Sequence, residues 1–384
     1  MNIDVMYKAA RPAKKIGREV HFVEGRTGNP RSGEISFLRL KNGDILCAYS
    51  EFYDGDDWAD VAVSRISGFI SHDEGETWSA SFPIVEIPEG YASLMCASLL
   101  RLNDGEIGLL YGGKRIGNKC SQALFSRSAD EGKTWSDPVG IYSDEELNTN
   151  KHCLENDRLV QLKSGRLLVP TCYFAIADMG KHPIDDPTGH TVHYSDDGAQ
   201  TWIDTHANLW IPFIETHYGL QEPGIIEMPD GRLRMWARTG LGCQYECFSS
   251  DDGLSWSVPT PMEFFKSPLS PMLMKHIGDM TVAVYNPEPF HIINEKPLAY
   301  LEQGVELFYD RTPIVISVSD NGGVDYTRTY LLEDDPYSIY CYPAVFDGGD
   351  YILVAYYHSN RTENFFHSMK IVKILKTELK EAAF

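Results

Sequence analysis

The stretch Ser71-His-Asp73-Glu-Gly75-Glu-Thr77-Trp78 decides the fold, because the chain repeats it. Ser128-Ala-Asp130-Glu-Gly132-Lys-Thr134-Trp135 has the same form, S-x-D-x-G-x-T-W. Looser copies run from Ser195 to Trp202 and from Ser249 to Trp256, and the weakest from Ser319 to Tyr326. In the third copy Gly198 comes one place early, and Ala199 takes the usual glycine position. Repetition at a fixed motif marks a fold assembled from like units.

A second motif alternates with the first: two apolar runs joined by a turn pair containing glycine. The pairs are Asn42-Gly43, Asp104-Gly105, Ser164-Gly165, Asp230-Gly231, Gly278-Asp279 and Gly348-Gly349. Asn-Gly and Asp-Gly between apolar runs signal a β-hairpin, since the turn wants positive φ. A hairpin followed by a Trp-ended turn makes a four-stranded unit of propeller-blade size. The pattern predicts an all-β, six-bladed propeller of four-stranded antiparallel blades, with residues 1–384 as one domain. The hairpin joins the inner strands, the Trp-ended turn joins the outer ones, and the tryptophan packs between blades. The sixth blade lacks such a turn, so the segment Ile3 to Val23 is expected to pair with Phe366 to Ile374 and close the ring. Residues 287–309 read as a loop insertion.

Composition narrows the partners. The 34 basic and 55 acidic side chains give a net charge of −21, which repels phosphate and argues against nucleic acid and anionic lipid. The longest apolar run, Tyr351 to Tyr357, is far below the ~20 residues of a membrane helix. The N-terminus has no apolar stretch of signal-peptide length, so the chain as given reads as cytoplasmic, or secreted if a signal was removed. The 8 cysteines are scattered, and Cys243-x-x-x-Cys247 alone is no zinc set. No nucleotide-binding or zinc-protease motif occurs. We expect no cofactor and no metal.

The Trp-ended turn resembles the Asp-box, or BNR repeat, of the sialidase superfamily. That resemblance covers residues 30 to 374 and implies the propeller fold, with the Asp-box aspartates structural. It implies as well a glycoside hydrolase of exo-sialidase type acting on a glycan or small sugar. In that family a tyrosine helped by a glutamate attacks a sugar whose own carboxylate repels a carboxylate nucleophile. An aspartate serves as acid/base, and three arginines hold the substrate carboxylate.

Carried onto this chain, the glutamate corresponds to Glu222, nine residues before Gly231. Tyr340, nine before Gly349, corresponds to the nucleophile, with Tyr342 two residues on expected to face the same way. Asp57, in the acidic loop from Glu51 to Asp60, is the acid/base candidate. The arginines depart from the pattern. Ten residues before Gly43 stands Gly33, and Arg31 is a shifted equivalent. Arg238 is kept, Gln244 stands near the expected clamp position, and Ser270-Pro271-Met272 offers no third arginine. Residues preceding the inner strands complete the substrate-binding set: Glu34, Asp157, Arg158, Gln221, His152 and His217. Two other readings remain open: a hydrolase or lyase of a non-sialic sugar with His152 or His217 as base, and a carbohydrate-binding propeller without catalysis. The last predicts that Glu222 and Tyr340 do not face a common pocket.

Overall fold

The protein was analysed as a computed structural model describing residues 13–116, 121–175, 188–211, 219–287, 311–335, 338–360 and 367–383. The insertion expected at 287–309 lies outside these residues except for Pro287, as does His217.

Six antiparallel sheets form the blades of a propeller. Blade 1 comprises Ser32–Arg39, Ile45–Phe52, Ser64–Ser71 and Phe82–Val85, and blade 2 comprises Tyr91–Arg101, Ile107–Arg115, Ser121–Ser128 and Val139–Gly140. Blade 3 splits its innermost strand into Asn150–Cys153 and Val160–Gln161, followed by Leu167–Ala175, Gly189–Ser195 and Ile203–Asp204. Blade 4 runs from Gln221–Glu227 to Thr260–Lys266 and blade 5 from Leu273–Ile277 to Arg328–Glu333. Blade 6 uses Ser338–Asp347, Tyr351–Asn360 and Ser368–Leu375, and the N-terminal strand Arg18–Val23 pairs with the last of these. The ring is thus closed by hydrogen bonds between Arg18–Val23 and Ser368–Leu375, the N-terminal strand forming the outer edge of blade 6.

The Asp-box turns show why their residues recur. In the first copy Asp73 Oδ1 accepts from the Ser71 hydroxyl (2.9 Å) and the Thr77 N–H (2.8 Å), and Oδ2 accepts from the Thr77 hydroxyl (2.6 Å). The Ser71 oxygen accepts in turn from Gly75 N–H at 2.8 Å. Two successive residues take left-handed backbone, Glu74 at φ 60° and Gly75 at φ 81°. Both positions need it, so in the third copy Gly198 (φ 74°) relieves the first and Ala199 (φ 71°) bears the second. The shifted glycine is the same turn with the two left-handed places filled differently.

The closing aromatics pack at the seams. Trp78 joins blades 6 and 1 beside Phe37 and Phe346, Trp135 joins blades 1 and 2, Trp202 blades 2 and 3, and Trp256 blades 3 and 4. Tyr326 is buried against Phe265 between blades 4 and 5. An indole that removes on the order of 100 Å² of apolar surface from water contributes about 2.5 kcal/mol. Four such wedges and the ring of Tyr326 fix how neighbouring blades lean.

Three consecutive residues tie the axis together where blade 3 breaks its inner strand. Asn156 Nδ2 donates to the carbonyls of Ile35 in blade 1 (2.8 Å) and Pro343 in blade 6 (3.4 Å). Asp157 accepts from Ser36 of blade 1 and pairs with Lys275 of blade 5 at 2.7 Å, while its N–H donates to Ala97 of blade 2. Arg158 donates to the Met272 carbonyl at 2.8 Å and lies over Trp236 of blade 4.

Candidate active site

Four inner strands carry the same irregularity. A β-bulge interrupts pairing between Gly33 and Ser36, Met95 and Ser98, Gln221 and Gly224, and Cys341 and Ala344. Each bulge holds one residue in left-handed backbone: Glu34 (φ 53°), Cys96 (φ 63°), Glu222 (φ 51°) and Tyr342 (φ 55°). Asp157 (φ 55°) stands in the break of blade 3. A bulge re-aims the side chain it carries, and here it directs one residue per blade towards the axis. These conformations cost of order 1–3 kcal/mol each and persist only where surroundings enforce them.

The bulges bring Tyr342 and Glu222 together from opposite ends of the sequence. The Tyr342 hydroxyl donates to Glu222 Oε1 at 3.2 Å, and Glu222 Oε2 pairs with Arg238 Nη1 at 2.9 Å. Burial, then Glu222, pushes the Tyr342 phenol well up, against the opposing pull of Arg238 and Arg311. The phenol is therefore protonated in the free protein, with a carboxylate at hand to receive the proton.

Arg238 and Arg311 flank this pair, with Arg31 nearby beside Tyr357, each 8% exposed or less. Arg31 donates to Tyr357 Oη (2.8 Å), Asp60 Oδ1 (2.6 Å) and Glu34 Oε1. Glu34 is itself fixed by the Ser50 hydroxyl at 2.7 Å and the Cys96 N–H at 3.2 Å. Arg238 is oriented by Gln221, whose Oε1 accepts from Nε at 3.0 Å and Nη2 at 2.7 Å. Arg311 lies over the Tyr342 ring, 5.5 Å from its centroid, and donates to the Leu269 carbonyl. Arg31 and Arg311 both act on His367, whose imidazole is brought to about 3 by burial and then by these two cations. Arg311 likewise opposes the charge of Arg238. The three guanidiniums make a cationic arc of the kind that suits a carboxylate.

Asp60 lies at the open side of the arc. Desolvation raises its carboxyl, but Arg31 and then Lys114 outweigh that and bring it to about 2. With 69% of the side chain open to water, the two cations, not burial, decide the outcome. Deeper in, Glu155 is 3% exposed, and burial followed by the charge of Glu222 holds its carboxyl well above the ordinary range. It stands beside Glu222.

Several predicted residues lie elsewhere. Tyr340 stacks on His358 at 5.3 Å within the core of blades 5 and 6, away from Glu222. The count back from glycine misleads because the last hairpin differs. Glu34, Cys96, Glu222 and Tyr342 each stand five residues before the last paired residue of their strand, Arg39, Arg101, Glu227 and Asp347. In blade 6 the glycine comes two places sooner after that residue, so a count of nine overshoots by two. The bulge also cancels the alternation that would have aligned Tyr340 with Tyr342. Asp57 turns into its own loop and accepts from the Ala59 N–H at 2.9 Å, so Asp60, not Asp57, reaches Arg31. His152 is 1% exposed and stacked under Tyr142 at 4.1 Å in the seam of blades 2 and 3. Gln244 donates to Ser267 and the Ser270 carbonyl, which fixes the segment carrying Leu269. Asp157 and Arg158 belong to the axial tie.

The sequence reading missed Arg311, Asp60 and His367. All three lie on connections from the second to the third strand of a blade, and those connections reach the same end of the ring as the starts of the inner strands. An arginine before Thr-Pro and the apolar run Ile314–Ser319 was the available signal. Among the described residues, Glu146, His193 and Asp204 bring metal-type ligand atoms within 4.8 Å of one another. They lie in the outer part of blade 3, where Glu146 and His193 already form a 2.6 Å pair.

Comparison with known proteins places this geometry in context. Residues 43–354 match the family described as BNR repeat-like domain. An anhydrosialidase from Macrobdella decora is 33% identical over 142 residues, which span 35% of this chain and 16% of that protein. A Dyadobacter fermentans protein of unknown function superposes with a TM-score of 0.69 at 20% identity, covering 93% of this chain and 99% of that one. A leech intramolecular trans-sialidase complexed with 2,7-anhydro-Neu5Ac superposes with a TM-score of 0.68 at 16% identity, covering 99% of this chain and 73% of that one. At these identities the solved structures speak to the fold.

Proposed function

This chain belongs to the BNR repeat-like domain family, and from that premise we propose that it is a glycosidase removing a terminal sugar of the sialic acid class from a glycan. One observation carries the reading: the hydrogen bond from Tyr342 to Glu222 beside an arc of three buried arginines. A phenol hydrogen-bonded to a carboxylate has an acceptor for its proton, and a cationic arc of this kind suits an anionic substrate.

The substrate carboxylate sits on Arg31, Arg238 and Arg311, which sets the anomeric carbon against Tyr342 Oη. The phenolic oxygen attacks that carbon while its proton passes to Glu222. Asp60 protonates the departing glycosidic oxygen. Water then attacks the anomeric carbon, Asp60 takes its proton, and Tyr342 recovers its own from Glu222. Two displacements at one carbon retain its configuration. Asp60 must carry a proton for the first step, although Arg31 and Lys114 hold it ionised in the free protein. A substrate carboxylate on Arg31 offsets that cation and lets the proton return.

Release of the aglycone from a chromogenic α-sialoside tests the reading. Turnover by the wild type and its loss in Tyr342→Phe are expected. Binding without turnover points to a carbohydrate-binding propeller, and turnover only of neutral glycosides removes the anionic substrate.

A further inference from the structure

Behind Glu222 lie two thiols that the proposed chemistry does not use. Cys153 and Cys172 are directly opposed in the antiparallel pairing of Asn150–Cys153 with Leu167–Ala175. Opposed residues of such a pair have Cα atoms about 4.5 or 5.5 Å apart, inside the ~4.4–6.8 Å range that a disulfide spans. The side chains of opposed residues leave the sheet on the same face. Here the two thiols are in mutual contact, and the Cys172 sulfur also lies 3.9 Å from the Cys153 carbonyl. Both cysteines are reduced in this structure.

The two sulfurs differ in access. Cys153 is partly exposed and lies within the field of Lys151 and Lys114, the latter bonded to the Asp60 carbonyl at the pocket wall. Cys172 is 1% exposed and lies within the field of Glu222. The Cys153 thiol, hydrogen-bonded by Cys172 and flanked by two lysines, is shifted down despite its burial. One thiol is thus placed to attack and the other to resolve.

We propose that Cys153 and Cys172 form a thiol-exchange site, which a small-molecule disulfide such as oxidised glutathione closes into a cross-strand disulfide. The Cys153 thiolate attacks one sulfur of the small disulfide, forms a mixed disulfide and expels the first thiol. Cys172, losing its proton to water, attacks the Cys153 sulfur and expels the second. Two protein thiols are oxidised and one small disulfide is reduced to two thiols. Glu222 acts on both thiols, so drawing the Cys172 sulfur towards Cys153 alters the packing beside that residue. Closure therefore shifts Glu222 against Tyr342, and this consequence rests on the function proposed above.

The test incubates the folded wild-type protein with oxidised glutathione and maps disulfides by peptide mass spectrometry without reduction. A Cys153–Cys172 linkage reversed by dithiothreitol is expected. Cys172→Ser should stop at a stable glutathione adduct on Cys153, whereas Cys153→Ser should leave Cys172 unmodified. Glutathione confined to Cys96 or Cys341, or no linkage in the wild type, overturns the site. Sialoside turnover is followed on the same samples. A linked protein that keeps full turnover removes the effect on Glu222 but keeps the site. A protein inactive before and after oxidation counts against the glycosidase reading alone.

Discussion

The rim turns and the pocket mouth share their ingredients and use them differently. Both place non-glycine residues in left-handed backbone, and both bind carboxylates tightly. At the rim the left-handed place repeats with the same neighbours: Asp73, Asp130 and Asp197 each accept from a threonine and a serine two to four residues away. At the mouth the left-handed place repeats but its occupant changes, Glu34, Cys96, Glu222 and Tyr342 in turn, and besides the local Arg31–Glu34 pair they are tied across blades, 62 residues from Cys96 to Glu34 and 120 from Tyr342 to Glu222. The rim therefore holds each blade in shape by itself. The mouth acquires its chemistry only when six blades meet. Strain at the rim fixes a turn; strain at the mouth aims a functional group.

The sharpest break between the two regions is between neighbouring tyrosines. Tyr342→Phe should lower sialoside turnover by about 10³-fold or more, as loss of a nucleophile does, while Tyr340→Phe should change it only a few-fold. Steady-state kinetics on both variants decides, and equal losses would merge the two positions. Next in size, Arg311→Ala should lower kcat/KM by about 10²-fold, mostly through KM, since it removes one donor group for the substrate carboxylate. An unaltered KM would exclude Arg311 from the clamp.

The rim responds in stability instead. Trp256→Ala opens the seam of blades 3 and 4 and should cost about 2–4 kcal/mol in urea unfolding, with kcat of the folded fraction unchanged. The smallest effect is acid titration of a single rim carboxylate. Hydrogen bonds from the Thr77 hydroxyl and N–H hold Asp73 at about 2, below its ordinary 3.8. A depressed carboxyl contributes stability that is present above 3.8 and lost as pH falls from there towards about 2. Asp73→Asn should therefore lower the melting temperature at neutral pH and flatten its fall in that window, the two profiles converging below about pH 2. A flattened profile above pH 5 would contradict the assignment.

Rim and mouth also differed in what the sequence disclosed. Blade count, hairpins and ring closure were legible because each rests on contacts within a few residues or on plain alternation. Glu222 was legible because its hairpin has the same five-residue turn as those of blades 1 and 2. Tyr342 was not, since the blade 6 hairpin is a residue shorter and a bulge reverses the alternation that a strand count assumes. Asp60 was hidden among four acids of one loop, and only the position of Arg31 selects it. Arg311 was hidden by an expectation tied to the starts of inner strands, when half the mouth is built from the other connections. Periodicity carries no information on loops that converge from separate blades.

The break in blade 3 bears on traffic through the molecule. Asn156, Asp157 and Arg158 bond to blades 1, 2, 5 and 6 and cover Trp236 of blade 4. They act as a stopper across the bore, just beneath Glu155 and Glu222. On the proposed function, a sugar would then enter and leave the mouth from the same end of the ring. A glycan would present only its tip to the proposed enzyme, and an unreleased product would bar the next arrival.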